Sequence, residues 1–438
     1  MRPFTQLARS LGASLSATLF LTTVLAVGAS ATPRKSVVAP ITGAHATSTS
    51  TSVLLQWRKA KVKTASAIMI RRATGSTAPS TIKSGTLVAR IAPTRTSLTN
   101  ASLQANTEYS YSIFALKGRV SSSADKVSIT TNAPPVKSVT NTSYGFNTPA
   151  GIAADGTNVW VANANGNTVT EFSQSSGALV QVFYDASYAF SGPVAVVTAG
   201  PDVWVANALG NSLTEMSAST GALVRVVSGT SYGLNGPIAL TWDGTNLWVA
   251  NDTGNSLTEV NASTGALVQV ISGASYAFSS PEGITSDGTN IWVANVTGNS
   301  VTEVNGSTGA LVQVISGTTY GFNSPNSLVS DGTNVWVVNG LGNSVSELDQ
   351  STGALVQVIT NTTYGFNDPI AVTSSGGEIL VLNFKGNSIT GINQASGALV
   401  QVISGSTYNL NGPLGITISG TNAWVTNALG NSVTELFG

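Results

Sequence analysis

Three residues stand where a chemical site would break an otherwise uniform pattern: Glu282, Asn326 and Asp252. Two carboxylates and one amide carbonyl are hard oxygen donors, the set that suits a divalent cation or a polar ligand. They stand out because the chain repeats itself every 44 residues, so each position can be compared with its own copies. The residue after a recurring proline is apolar in five copies, as Ala150, Val194, Ile238, Ile370 and Leu414, but becomes Glu282 and Asn326 in two adjacent ones. Asp252 replaces a residue that is elsewhere mostly Ala, Val, Gly or Phe, and Glu378 and Lys385 are further departures. The three are ligand-binding candidates; no residue is assigned to catalysis, metal or cofactor binding.

Other chemistry is limited by composition. The only histidine is His45, far from the repeats and read as a surface residue, and there is no cysteine. A Ser-His-Asp triad, a thiolate metal site and a disulfide frame are excluded from the repeats. Glu171, Glu215, Glu259, Glu303, Glu347 and Glu435 recur in one strand, with Gly391 breaking the set. On separate units they lie too far apart for one metal shell, and solvated sheet edges are the better reading. The recurring Asn163, Asn207, Asn251, Asn295, Asn339, Asn383 and Asn427 read as turn residues that bond their own backbone. Gly-Asn pairs such as Gly298-Asn299 read as hairpin turns. Sequons such as Asn251, Asn261 and Asn295 arise by chance in so Asn- and Thr-rich a chain.

The elements that must hold these residues are strands. Only 9% of residues are charged, and Gly, Ser, Thr, Asn and Val dominate, a composition of short strands and tight turns. Trp160, Trp204, Trp248, Trp292, Trp336 and Trp424 mark the grid, with Leu380 in the remaining slot. Each unit contains four extended runs separated by turn signals, the spacing of a β-propeller blade. The seventh unit ends after its third run, and Val136-Lys137-Ser138-Val139-Thr140 matches the missing fourth. The expected fold is therefore all-β: a seven-bladed β-propeller over 136–438, closed by its N-terminal strand. Tyr144 and Pro149, each repeated on the grid, are expected to pack between blades and to open the innermost strand.

The entry Pro281-Glu282-Gly283-Ile284, with Trp-Val-Ala-Asn and Gly-Asn-Ser-Val-Thr, resembles NHL- and YVTN-type propellers and, more loosely, the virginiamycin B lyase-like group. That resemblance spans 136–438 and implies fold more than activity, since such families mix enzymes, binders and scaffolds. The lyase-like relatives imply a histidine at the catalytic centre, which this unit lacks. Carboxylate-only hydrolases of the gluconolactonase-like kind are the alternative.

Residues 37–131 carry strand signals without a helical period. Val53–Trp57 and Ala67–Arg71 read as adjacent strands of a β-sandwich. Trp57, with Leu103 through Tyr109, makes the segment resemble a fibronectin type III domain. Residues 132–135 form a linker. Residues 1–31 read as a signal peptide: Arg2 and Arg9, an apolar stretch from Leu11 to Val27, then Ala29-Ser30-Ala31.

Charge divides the chain. Between Thr32 and Pro135, 14 Lys/Arg face Glu108 and Asp125; beyond it, Lys137, Arg225 and Lys385 face 17 acidic residues. The two parts either attract each other or present the basic one to an anionic polymer or membrane surface. An acidic, lysine-poor repeat disfavours nucleic acid. The expectation is a secreted, monomeric, non-catalytic binding or scaffold protein whose partner is an extracellular protein or glycan, with no cofactor and no membrane span in the mature chain. A metal-dependent hydrolase or lyase acting on a lactone, cyclic ester or glycan is the alternative.

Overall fold

The computed structural model describes residues 38–59, 65–104, 107–132 and 136–437. The signal peptide and most of the linker read from the sequence lie outside them. The chain divides into two compact units, Met1–Asn132 and Ala133–Gly438.

The first unit is a pair of antiparallel sheets around one core. His45–Ser48, Val53–Gln56 and Ser97–Asn100 form one sheet, with Val53–Gln56 in the middle. Thr86–Ile91, Ala67–Thr74 and Glu108–Lys117 form the other, with Val120–Ser121 and Asp125–Thr130 both paired to Glu108–Lys117. The strands at 53–56 and 67–74 are thus successive in the chain but not adjacent in a sheet. Alternation marks which side chains face inward; it does not name the partner strand. Val53 and Leu55 meet Ile68, Ile70 and Tyr111 across the core. The Trp57 indole donates to the Arg95 carbonyl at 3.0 Å, and the Tyr109 hydroxyl accepts the Gln104 N–H at 3.1 Å. His45 is exposed in the first strand.

The second unit is built of repeated four-stranded antiparallel sheets. In one of them the strands are Pro281–Ser286, Asn290–Asn295, Ser300–Asn305 and Leu311–Ser316. Local chemistry sets each corner. Asp287 Oδ1 accepts the N–H groups of Thr289 and Asn290, which folds the first hairpin. Asn299 adopts φ 47° in the second hairpin, a conformation that Asn tolerates and β-branched residues do not. A bulge between Glu303 and Val304 bends the outermost strand.

One sheet joins distant parts of the chain. Ser432–Phe437 pairs with Val136–Val139, which places Glu435 opposite Lys137. The first strands of successive sheets pack on one another, and Pro149–Ala154 touches both Pro193–Ala199 and Pro413–Ser419, so the series closes on itself. Gly283 shows how close the inner strands come: a Cβ there would lie 2.9 Å from Ser327 Cα.

Sheets meet through unlike faces. Trp292, Ala294, Val301 and Ile315 of one sheet pack on Leu328, Val335, Val337 and Leu348 of the next. A side-chain staple repeats at each step. Asn299 Oδ1 accepts the Ser324 N–H of the next sheet at 2.8 Å, and Asn431 Oδ1 does the same for Thr148 across the closure. The Gly-Asn pairs therefore do more than turn the hairpin.

The tryptophans differ in one respect. Trp292 donates its indole N–H to Asp287 Oδ2 at 2.7 Å, as Trp160, Trp248 and Trp336 do to the matching aspartates. Ala199 and Ser419 occupy that aspartate's slot in two sheets, and there the Trp204 and Trp424 indoles have no partner. Trp292→Phe strands an aspartate oxygen, whereas Trp204→Phe removes an unmet donor. The first should cost about 1–2 kcal/mol more than the second in chemical denaturation; equal costs would contradict the pairing.

Candidate functional site

The repeated polar residues are buried, and this corrects two expectations. Asn295 is not a turn residue bonded to its own backbone: it ends a strand with its side chain wholly buried. Its amide donates to the Thr302 hydroxyl at 2.9 Å, which donates to the Tyr276 carbonyl at 2.8 Å. The same chain recurs in other sheets, for instance from Asn163 through Thr170 to Tyr144. A polar group taken out of water must find partners, and here they lie on neighbouring elements rather than on its own backbone. Burial also removes Asn251 and Asn295 as sites for sugar attachment.

The repeated glutamates are not on solvated edges either. All six are buried, each on the face that carries the tryptophan, since Trp292 and Glu303 are cross-strand partners. Asn290 and Gln313 donate to the two oxygens of Glu303 at 2.6 and 2.7 Å. In the second sheet Asp202 replaces that asparagine, and Arg225 replaces the glutamine and lies 2.6 Å from Glu215. In the closing sheet Asn422 donates to Glu435 at 2.9 Å, with Lys137 at 3.8 Å. Edge exposure was the natural reading of a carboxylate in a short strand; the facing sheet covers it instead.

Glu378 is explained by the same layer. It occupies the slot of Asn290, while Gly391 occupies the slot of Glu303. A Cβ on Gly391 would lie 3.0 Å from Glu378 Oε2, so the carboxylate has moved to the neighbouring strand and fills the vacated space. Gly391→Glu alone should destabilise the unit by about 2–4 kcal/mol, because it buries a second acid beside the first. Adding Glu378→Asn should recover most of that loss in a double-mutant cycle; additive losses would refute the exchange.

Burial pushes the Glu171 and Glu215 carboxyls from 4.5 up to about 7. The charge of Asp155 reinforces the rise at Glu171 while Asn158 opposes it; at Glu215 Arg225 opposes the rise and Asp202 reinforces it. Glu259, Glu303, Glu347 and Glu435 shift in the same direction for the same leading cause. Between pH 4.5 and about 7 the folded unit thus holds more protons than the unfolded chain. Stability is greatest below that window and declines as pH rises through it. The unfolding midpoint of the repeat unit should fall between about pH 5 and about pH 8; a midpoint that rises over this range would contradict the buried-acid layer.

What remains at the mouth formed by the proline ends of the inner strands is small. Glu282 follows Pro281 and is partly buried. Burial raises its pKa, and the charge of Asp252 raises it further, so these two acids lie within electrostatic reach of each other. Asp252 sits in the second hairpin of the preceding sheet, its N–H bonded to the Gly236 carbonyl at 3.0 Å. Asn326 takes another course. Its amide nitrogen reaches the Pro369 carbonyl of the following sheet at 3.3 Å, and its Oδ1 is buried without a partner. Gly340 makes that course possible, since a Cβ there would lie 2.7 Å from the Asn326 amide. The sequence marked Asn326 as a departure but not Gly340, which holds one of the small or apolar residues usual at its slot. Lys385 pairs with Asp368 at 3.1 Å. Among the described residues, no group of three or more His, Cys, Asp or Glu is placed to hold a metal ion.

No family model and no curated protein sequence matches the chain. Solved structures do. A streptogramin B lyase aligns with a TM-score of 0.56 and 19% identity over 69% of this chain and 97% of its own. Virginiamycin B lyase from Staphylococcus aureus gives 0.57 and 16%, over 69% and 99%. The WD40 propeller domain of Doa1 gives 0.53 and 10%, over 68% and 95%. The repeats form a β-propeller. At such identities the likeness establishes the fold alone.

Proposed function

We propose that the chain is an exported, non-catalytic binding protein, a seven-bladed propeller carried on a fibronectin type III-like spacer. The strand orders of the first unit support the spacer. One sheet runs first–second–fifth strand and the other fourth–third–sixth, with the last long strand beside the sixth, an arrangement that fits such a sandwich. Seven four-stranded sheets, the last completed by Val136–Val139, support the blade count.

The observation that carries the functional reading is the fate of the carboxylates. Six glutamates are sealed between sheets, and the turn aspartates are spent on backbone and indole N–H groups. The mouth keeps one acidic pair, Glu282 and Asp252, while the Asn326 side chain turns to the Pro369 carbonyl of the following sheet. That set suits recognition of a ligand with a few hydrogen-bonding groups, and an extracellular protein or glycan is the partner proposed. The Glu282–Asp252 pair is also what favours the second reading, a hydrolase or lyase using a divalent cation on a lactone, cyclic ester or glycan.

Thermal unfolding in millimolar calcium or magnesium separates the two. The binding reading expects no shift in midpoint for the parent protein or for Glu282→Gln. A rise of several degrees in the parent that disappears in Glu282→Gln would favour the metal-dependent enzyme.

A further inference from the structure

The first unit carries most of the chain's basic residues, and its strand order gathers the exposed ones at one end. Strands Val53–Gln56, Thr86–Ile91 and Glu108–Lys117 finish at this end, Ala67–Thr74 and Ser97–Asn100 begin there, and residues 92–96 join the two sheets across it. Arg58 and Lys59 follow Val53–Gln56, and Arg95 precedes Ser97–Asn100. Arg90 lies next to the end of its strand, Lys117 ends its own, and Arg119 stands in the hairpin that follows. All six are exposed.

Two of them face each other. The ladder pairs Gln56 with Ser97, and the Trp57 N–H continues it to the Thr96 carbonyl at 2.9 Å. The next step sets Arg58 opposite Arg95. Like charges in that relation disfavour a sheet, and no free acid relieves them. Glu108 begins its strand at the other end, and Asp125 Oδ2 accepts the Ala44 N–H at 2.7 Å. Among the described residues, none of the six cations enters an ion pair or donates a side-chain hydrogen bond. By contrast, Arg71 donates to the Ile82 and Gly85 carbonyls, and Arg72 to Asn100. The cations that the fold uses are bonded; those at this end are unspent.

Their elements lie about 5 Å apart within a sheet and about 10 Å apart between sheets, so one linear polyanion reaches several of them. Arginine forks pair with carboxylates through two parallel hydrogen bonds. Among the described residues, Val120 is the one large apolar side chain exposed at this end, too little to anchor it in a bilayer. No aromatic ring is exposed there to stack the bases of a nucleic acid, since Trp57 is buried. We propose that this end of the sandwich binds an anionic polysaccharide, one with carboxylates on successive sugars. Polysaccharide as the source of the carboxylates rests on export of the chain; the cationic end does not. The spacer is then a binding module in its own right.

The full chain is titrated over immobilised polygalacturonate, with neutral dextran as the blank. Polygalacturonate should bind saturably and dextran should not, and raising salt from about 50 to about 200 mM should weaken binding about tenfold or more. Arg95→Gln combined with Arg119→Gln should weaken it about fivefold or more. The unfolding midpoint should not move, because both side chains are exposed and unbonded. Lys83→Gln, in the loop leaving the opposite end, should change binding less than about twofold, and Glu282→Gln should leave it intact. Because binding is measured on purified protein, its failure is distinct from a failure of export, which retention of the chain inside its host cells would show. No binding of polygalacturonate, an equal loss in Lys83→Gln and in the arginine pair, or binding of polyphosphate or phosphatidylglycerol vesicles in its place would overturn the proposal.

Discussion

Each four-stranded sheet of the repeat unit has two faces poor in charge and can bury neither alone. One face bears tryptophan, the other a Val-x-Val strand, and stability comes from pressing unlike faces together, as Trp292 does on Val335 and Val337. A linear stack would leave one face of each kind open to water. Pairing Val136–Val139 with Ser432–Phe437 completes the last sheet, and that sheet then covers the first. Packing, hairpin staples and the positions of the mouth residues all depend on this closure.

The layer between sheets is not purely apolar. It holds buried glutamates, and burying a carboxylate costs free energy unless it is bonded or protonated. The chain does both. Asparagine and glutamine bond Glu303, arginine offsets the extra acid at Asp202, and raised pKa values favour protonation. Glu378 with Gly391 shows that the layer conserves one carboxylate's volume while letting it change strands. Acidity read from composition is therefore a poor guide to the surface, because much of it is internal.

The architecture was legible because it rests on periodicity. Strands, turns, the unit length and the N-terminal completion of the last sheet all leave marks at a fixed spacing. Burial was not legible in the same way. Asn295 and Glu303 recur as faithfully as Trp292, but recurrence does not say which side of a strand meets another sheet. Strand partners in the first unit were misread for a related reason, since Val53–Gln56 and Ala67–Thr74 share a core but not a ladder. At the mouth, Glu282 and Asp252 were visible as breaks in the grid, whereas the bond from Asn326 to Pro369 needed coordinates.

Closure is the central physical claim, and removing its strand tests it most directly. Deleting residues 136–140 leaves the other strands of the repeat unit in place but opens the ring. Equilibrium denaturation of that variant, followed by tryptophan fluorescence, should show a large loss of stability and a broad or multistep transition across the whole unit, since every remaining sheet loses its place in a closed series. An unchanged midpoint and slope would mean that the sheets stand as an open stack, and would contradict the account.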